Sequence, residues 1–126
     1  MKWRPMLIAA AAFCAVPAIA EAQDAAPVAA LKSELAGKVP GNWQVRVRWR
    51  DGAVLASFMP PFQEGFDLWY RPEVLLGRMR DLCPAPGDGI WHMLEPEQDI
   101  VLEPTVGGKS MLEMRVSCRE LMRARS

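Results

Sequence analysis

The sequence predicts an α+β domain in which an antiparallel sheet of four to five strands, built from two β-hairpins, carries two short helices on one face. Three observations predict it. A period-two apolar pattern turns at Asp51-Gly52, a second alternating stretch turns near Gly107-Gly108, and a helical stretch precedes each hairpin. The expected order is helix, hairpin, helix, an optional short strand, hairpin.

Residues 1–20 have the composition of a bacterial export signal. Lys2 and Arg4 form a basic start, an alanine-rich apolar run follows, and Ala18 and Ala20 put small residues where a signal peptidase cuts. The run is too short and too rich in alanine for a membrane span. We therefore predict cleavage after Ala20, with a cut after Ala22 as the alternative because it also follows a small-x-small pattern. No transmembrane segment is then left, and the mature protein is expected to be periplasmic or secreted.

One small domain is predicted after the signal. Residues 21–26 are polar and alanine-rich, which predicts a flexible linker, and 27–126 has the size of a single domain. Pro27 suits a first helical turn, and apolar side chains recur on one stripe as far as Gly37. This pattern predicts a first helix from Pro27 to Ala36.

The first hairpin has the clearest pattern in the chain. Apolar and polar side chains alternate over residues 43–50, which indicates a strand with one dry and one wet face. Asp51-Gly52 supplies a two-residue turn that tolerates positive φ angles. Folding back at this turn pairs six apolar residues in one register: Trp49 with Val54, Val47 with Ala56 and Val45 with Phe58.

The segment from Met59 to Tyr70 is rich in proline and aromatic residues. Its sequence leaves three structures open: a loop, a bulged extension of the second strand, or a short strand. Pro72 then begins a second helix that runs to about Leu82, and Pro84 ends it.

The second hairpin is predicted from Gln98–Thr105 and Ser110–Cys118, after an optional short strand at Ile90–Leu94. A three-residue turn through 107–109 keeps the apolar residues on one face, so we prefer it to a two-residue turn at Gly107-Gly108. The predicted pairs are Ile100 with Val116 and Leu102 with Met114.

Two cysteines follow the predicted signal, Cys83 and Cys118, and only one internal pairing is open to them. A bond between them would contribute about 3–4 kcal/mol to the stability of so small a domain. The alternatives are a redox pair or two free thiols. Redox pairs are usually close in sequence, and an oxidising compartment favours a structural disulfide, which we predict.

The charge balance argues against a nucleic-acid partner. The chain has 15 basic and 15 acidic residues, and loss of Lys2 and Arg4 with the signal leaves 13 basic against 15 acidic. Nucleic-acid binding usually needs a strong basic excess. A partner of another kind, a protein or a cell-envelope component, is therefore expected.

Three arginines share one face of the first predicted strand, because they alternate along it: Arg46, Arg48 and Arg50. Such a stripe can bind an anionic glycan, a lipid head group or an acidic protein surface. An ordinary solvent-facing strand carries the same charges, which also discourage aggregation through the strand edge. The sequence favours this simpler interpretation.

The aromatic segment holds the strongest binding candidates: Phe62, Phe66, Trp69 and Tyr70. Large aromatic side chains are costly to leave in water, so they pack in a core or mark a partner-binding patch. The sequence slightly favours the core.

Catalytic and metal-binding signals are weak. His92 is the only histidine, and Glu95, Glu97 and Asp99 lack the spacing of a calcium loop, so we predict no metal site and no cofactor. A hydrolase of the ribonuclease type remains an alternative, with His92 as acid, Glu95 as base and Arg46 or Arg48 on the phosphate.

The function expected from these observations is non-catalytic. We expect a small exported accessory domain that binds a protein or an envelope component through the aromatic segment and the arginine stripe. The alternatives are the hydrolase and a structural or assembly subunit of an envelope complex. The oligomeric state is left open.

Overall fold

The computed structural model describes residues 25–125, so the predicted signal peptide and residues 21–24 of the predicted linker lie outside the described residues. Within them, four helices accompany a five-stranded mixed sheet. The elements are α1 (25–36), β1 (Gln44–Arg50), β2 (Ala53–Met59), α2 (Phe62–Trp69), α3 (Pro72–Asp81), a 3₁₀ helix (Gly89–Met93), β3 (Asp99–Val106), β4 (Lys109–Ser110), a second 3₁₀ helix (Leu112–Met114), β5 (Val116–Ser117) and α4 (Cys118–Arg125). Residues 25 and 26, predicted as linker, are helical.

The first hairpin confirms its prediction in turn and register. Asp51 and Gly52 take φ angles of 52° and 77°, the left-handed values that a tight two-residue turn requires. The pairs Trp49–Val54, Val47–Ala56 and Val45–Phe58 are those predicted. Side-chain alternation and turn chemistry agree here, and together they specify the register.

The sheet is mixed, so the prediction of a purely antiparallel sheet is wrong. Strand β2 pairs with β3 in parallel, with Val54 opposite Ile100 and Ala56 opposite Leu102. A parallel pair needs a crossover of about a dozen residues or more. The connection through α2 and α3 provides that length, and it places the second half of the chain beside β2. The sheet order is β1–β2–β3, with β4 and β5 both on the outer side of β3.

The aromatic segment forms helix α2, which none of its three predicted structures anticipated. Pro60 and Pro61 end β2, and Pro61 stands directly before the first helical residue. Gly65 and Leu68 face inward, and Gly65 lets the helix approach β3 closely, since a Cβ there would meet Pro60 at 3.1 Å and Val106 at 3.6 Å. Aromatic residues are common in strands, but tertiary packing overrides propensity in so short a segment.

The predicted short strand at Ile90–Leu94 is instead a 3₁₀ helix at Gly89–Met93. The Asp88 carboxylate caps it by accepting a hydrogen bond from the Ile90 N–H at 3.4 Å. The Trp91 indole then donates to the Ala85 carbonyl at 3.0 Å, which closes the loop on itself.

The second hairpin begins with a two-residue turn, so the predicted three-residue turn is wrong. Gly107 and Gly108 take φ angles of 59° and 80°, and Val106 pairs with Lys109. A 3₁₀ helix then interrupts the returning strand, and β5 resumes with Val116 opposite Leu102. The register differs from the predicted one by two residues, which preserves the dry face.

Helix α4 was missed because Cys118 was assigned to the last strand. The sequence does carry a signal for it. The Ser117 hydroxyl accepts a hydrogen bond from the Glu120 N–H at 3.2 Å, and Ser-x-x-Glu is the pattern of a helix capping box. With α1, α2 and α3, the domain has four helices rather than the predicted two.

One hydrophobic core joins the helices to one face of the sheet. Its fully buried members come from α1, α3, α4 and the strands: Leu31, Leu35, Val54, Ala56, Phe58, Leu75, Met79, Ile100, Leu102 and Cys118. The predicted disulfide is present: Cys83, after α3, bonds Cys118 at the start of α4, with Cα atoms 5.5 Å apart. No helix among residues 25–125 combines the length and apolar character needed to span a bilayer.

Candidate functional site

An exposed aromatic ridge runs along helix α2, formed by Phe62, Phe66 and Tyr70. These side chains are 69%, 42% and 72% exposed. The Phe62 and Phe66 ring centroids lie 6.1 Å apart in a stacked arrangement, and Phe66 meets Tyr70 edge-on at 5.2 Å. Trp69, half exposed at 50%, lies beside Tyr70 in sequence.

The spacing of the aromatic residues produces this ridge. Residues four apart on a helix are neighbours on its surface. Because Gly65 and Leu68 turn one side of α2 toward the core, positions 62, 66 and 70 face outward together. The slightly favoured prediction that the aromatic segment is core is therefore wrong for these side chains.

The predicted arginine stripe lies on the sheet face opposite the helices, and we call it the arginine face. The register places Arg46 beside Ser57 and Arg48 beside Leu55. Arg50 lies beside Ala53. All three β2 neighbours are uncharged, so no acid on β2 compensates the arginines.

Glu103 of β3, which lies across β2 from Arg46, is already bound by another cation. Glu103 pairs with Ser57 across the β2–β3 ladder. It is only 3% exposed and accepts a hydrogen bond from the Arg115 guanidinium at 2.6 Å. Burial acts to raise the pKa of Glu103, but hydrogen bonds from Ser110 and Arg115 and the charge of Arg50 outweigh it and lower the pKa. Glu103 is therefore ionised at neutral pH, and its hydrogen-bond partners, Ser110 and Arg115, lie on the β4–β5 side of the sheet.

Asp99, the other acid of β3 on this face, is committed to the start of α4. Its carboxylate accepts from the Arg119 N–H at 3.0 Å and from the Ser117 hydroxyl. It also accepts from the Ile100 N–H at 2.7 Å. Arg50 lies 3.9 Å from the Asp51 carboxylate, so Arg46 and Arg48 are the β1 arginines that form no salt bridge among residues 25–125.

Two shallow grooves cross the arginine face. The first, of about 340 Å³, is lined mainly by polar side chains: Gln44, Arg46, Arg48, Ser57, Thr105 and Ser110. The second, of about 220 Å³, lies between Arg50 and Arg115. Arg48 is half-buried, and its Nε atom is buried without a hydrogen-bond partner among the described residues.

The ridge and the first groove lie at the same end of the sheet. Met59, the last residue of β2, is 40% exposed and lines the groove, and Phe62 begins α2 three residues later. A Cβ built on Gly107 would lie 3.9 Å from the Phe62 ring, so the ridge starts at the β3–β4 turn. Ser110, at the end of that hairpin, also lines the groove.

The residues of the hydrolase alternative do not share one groove: Arg46 and Arg48 line the first groove of the arginine face, whereas His92 and Glu95 do not. Trp91 is buried, with the Arg119 guanidinium 4.9 Å from its ring centre, whereas the next residue, His92, is exposed. Neither His92 nor Glu95 lines either groove of the arginine face. Among residues 25–125, no three side chains of the metal-binding types cluster closely enough to hold an ion.

Sequence reasoning missed Glu103, Arg115 and Ser110 as parts of this surface. Their proximity depends on the register of β3 with β4 and β5, which the prediction missed by one residue at β4 and by two residues at β5. The Ser-x-x-Glu signal at Ser117 would have ended the last strand earlier and pointed to the observed pairing.

The chain matches no known protein family, and comparison with curated proteins and with solved structures likewise gave no match.

Proposed function

We propose that this protein is a small exported, non-catalytic binding domain that recognises a protein or cell-envelope component through the aromatic ridge, Trp69 and the arginine face. The observation that carries the proposal is the ridge itself. Three aromatic rings contact one another along one helix while their outer surfaces remain in water. Contiguous exposed apolar surface of this kind marks interaction sites.

The composition of the ridge suits recognition by a partner. Aromatic residues dominate binding hot spots because they bury a large area with few rotatable bonds. Tyr70 also offers a hydroxyl to a polar rim. The nearby arginines supply charge that orients an anionic partner and speeds its association.

Export is part of the proposal. A basic start, an apolar run and small residues before the cleavage position support a leader. The disulfide between Cys83 and Cys118 supports an oxidising compartment, since such bonds are rare in the cytosol.

The decisive experiment compares matched surface variants of the mature protein. The double variant Phe66→Ala/Tyr70→Ala, and separately Trp69→Ala and Arg48→Ala, is tested for capture of envelope components identified with the unmodified protein. Each aromatic truncation is expected to weaken the confirmed interaction by about 1–2 kcal/mol. Leu112→Ala is the control, because Leu112 is 60% exposed and lies outside the ridge.

The same variants test the alternatives. If none of them changes a confirmed interaction, the proposed surface is wrong. If the ridge variants instead dissociate a stable oligomer of this chain, the protein is an assembly subunit. A hydrolytic activity that His92→Ala abolishes without unfolding the protein would overturn the non-catalytic assignment.

A further inference from the structure

We propose that the outer edge of β1 accepts one extended peptide segment of a partner protein, with acidic residues at alternate positions beside Arg46 and Arg48 and apolar residues between them. This inference rests on the proposed binding function and names the chemistry of the partner. The added segment would extend the sheet by one strand.

The backbone of β1 is oriented for such pairing. Within residues 25–125, β1 pairs only with β2, so its other side is an edge. The two-residue turn makes Arg50 and Ala53 a hydrogen-bonded pair. By alternation, the main-chain groups of Val45 and Val47 point to the outer edge.

The arginine spacing selects the side chains of the added strand. Alternate residues of a strand lie about 7 Å apart on one face. Acidic side chains at every second position of a paired segment therefore come to lie beside Arg46 and Arg48 on the arginine face. The β2 neighbours of these arginines are Ser57 and Leu55, so no acid on β2 competes for them.

The opposite face of β1 favours apolar residues between the acids. Phe58 and Ala56 of β2 are fully buried, whereas their β1 partners Val45 and Val47 are only half-buried. A depression of about 250 Å³ lies against Val45, between the end of α1 and Trp43. An apolar side chain from an added strand would cover this incompletely buried surface.

Charge excludes the simplest other occupant, a second copy of β1. Two copies paired through this edge would set arginine beside arginine on the same face, and like charges directly opposite are destabilising. The arginines thus oppose pairing with an identical strand while they favour an acidic one.

The test measures binding of short synthetic peptides to the mature, disulfide-bonded protein. A fluorescein-labelled peptide that alternates glutamate and valine is compared with a peptide of the same composition whose glutamates are grouped at one end. Fluorescence anisotropy is expected to show at least about tenfold tighter binding of the alternating peptide. Salt should weaken this binding, because the charges lie at the surface.

Variants of the protein locate the site. Arg46→Ala/Arg48→Ala is expected to weaken binding of the alternating peptide by about tenfold. Arg80→Ala/Arg125→Ala, which removes the same charge from two exposed positions on α3 and α4, should leave binding unchanged. Arg46→Glu/Arg48→Glu is expected to transfer the preference to a peptide that alternates lysine and valine.

Two measurements test strand addition itself. Hydrogen exchange of the Val45 and Val47 amides should slow when the alternating peptide binds. The same peptide with N-methyl groups on the residues whose N–H groups face β1 cannot complete the ladder along that edge and should lose binding, without any change to the protein.

Several results would overturn the inference. These are equal binding of the alternating and grouped peptides, no binding of either, unchanged exchange at Val45 and Val47, a dimer formed through β1, or arginine-dependent binding to phosphatidylglycerol vesicles without peptide binding. None of them removes the proposed binding function, which is tested separately by the ridge variants, Trp69→Ala and Arg48→Ala against a confirmed envelope interaction.

Discussion

Glu103 determines which arginines of the sheet remain available to a partner. It is buried on the arginine face, where an unpaired carboxylate would be costly, and it is bound by Arg115. If Glu103 instead lay beside β1, it would neutralise Arg46. Glu103 therefore pairs with Arg115 and leaves Arg46 of β1 without this acidic partner.

Replacing Glu103 with glutamine should lower stability at neutral pH and flatten the acid limb of the stability curve. The pKa of Glu103 is lowered in the folded protein, so its contribution is present above the unfolded value of 4.5 and is lost as pH falls through the folded pKa. Urea unfolding from neutral pH to about pH 3 should show a loss of about 1–3 kcal/mol at neutral pH that shrinks in acid. Glu113→Gln, at an exposed position, is the control, and an unchanged acid limb in Glu103→Gln would contradict the assignment.

Glu34 should produce the opposite pH dependence. Burial raises the pKa of Glu34, the Asp88 carboxylate adds to the effect, and Lys38 opposes it. A raised folded pKa means that the contribution of Glu34 is greatest below 4.5 and is lost as pH rises through the folded pKa. Relative to the unmodified protein, Glu34→Gln should gain stability as pH rises from about 4 to neutrality. A constant difference across the series would contradict this expectation.

At the scale of elements, two short helices carry much of the surface chemistry. Helix α2 has eight residues, too few to be stable alone, so its packing against β3 holds the aromatic ridge in place. Helix α4 also has eight residues and begins where β5 ends. The side chain of Ser117 joins its first turn to Asp99 of β3.

Ser117→Ala should destabilise the protein by about 1–2 kcal/mol, because it removes a helix cap. It also removes a donor to Asp99. Ser117→Thr, which retains the hydroxyl, is the matched variant and should recover most of the loss. Thermal unfolding monitored by circular dichroism measures both. Equal stability of Ser117→Ala and the unmodified protein would show that the cap contributes nothing.

For the whole molecule, the disulfide is the main covalent constraint in the described chain. It joins positions 35 residues apart and connects α3 to α4, so it links the crossover to the last helix. The core is modest in a domain of this size, and total stability is expected to be about 5–15 kcal/mol.

Cys83→Ser/Cys118→Ser should therefore lower the unfolding free energy by about 3–4 kcal/mol. Urea unfolding of the unmodified protein with and without reductant gives an independent measure of the same quantity. The reductant should lower the unmodified protein's midpoint and leave that of the double variant unchanged. An identical midpoint with and without reductant would contradict a stabilising role for the bond.

Local patterns predicted the elements whose cause lies within a few residues. The first hairpin was predicted with its register, because Asp51-Gly52 and the flanking alternation act on the same short segment. Helix α3 was predicted from Pro72 at its start and Pro84 beyond its end. The arginines were placed on one face by their alternation alone. Helix α4 was not predicted, because the Ser-x-x-Glu cap at Ser117 was overlooked, although this signal is local.

The sequence alone determined the α+β class, the first hairpin with its arginine stripe and the pairing of Cys83 with Cys118, since alternation, turn residues and cysteine number do not depend on distant packing. Only the tertiary structure decided that β2 and β3 are parallel, that the ridge on α2 faces water and that Glu103 belongs to Arg115. Each of these depends on which elements pack together across long stretches of chain, where many arrangements bury similar apolar area. The crossover between β2 and β3 selects one arrangement, and the exposure of the ridge follows from it.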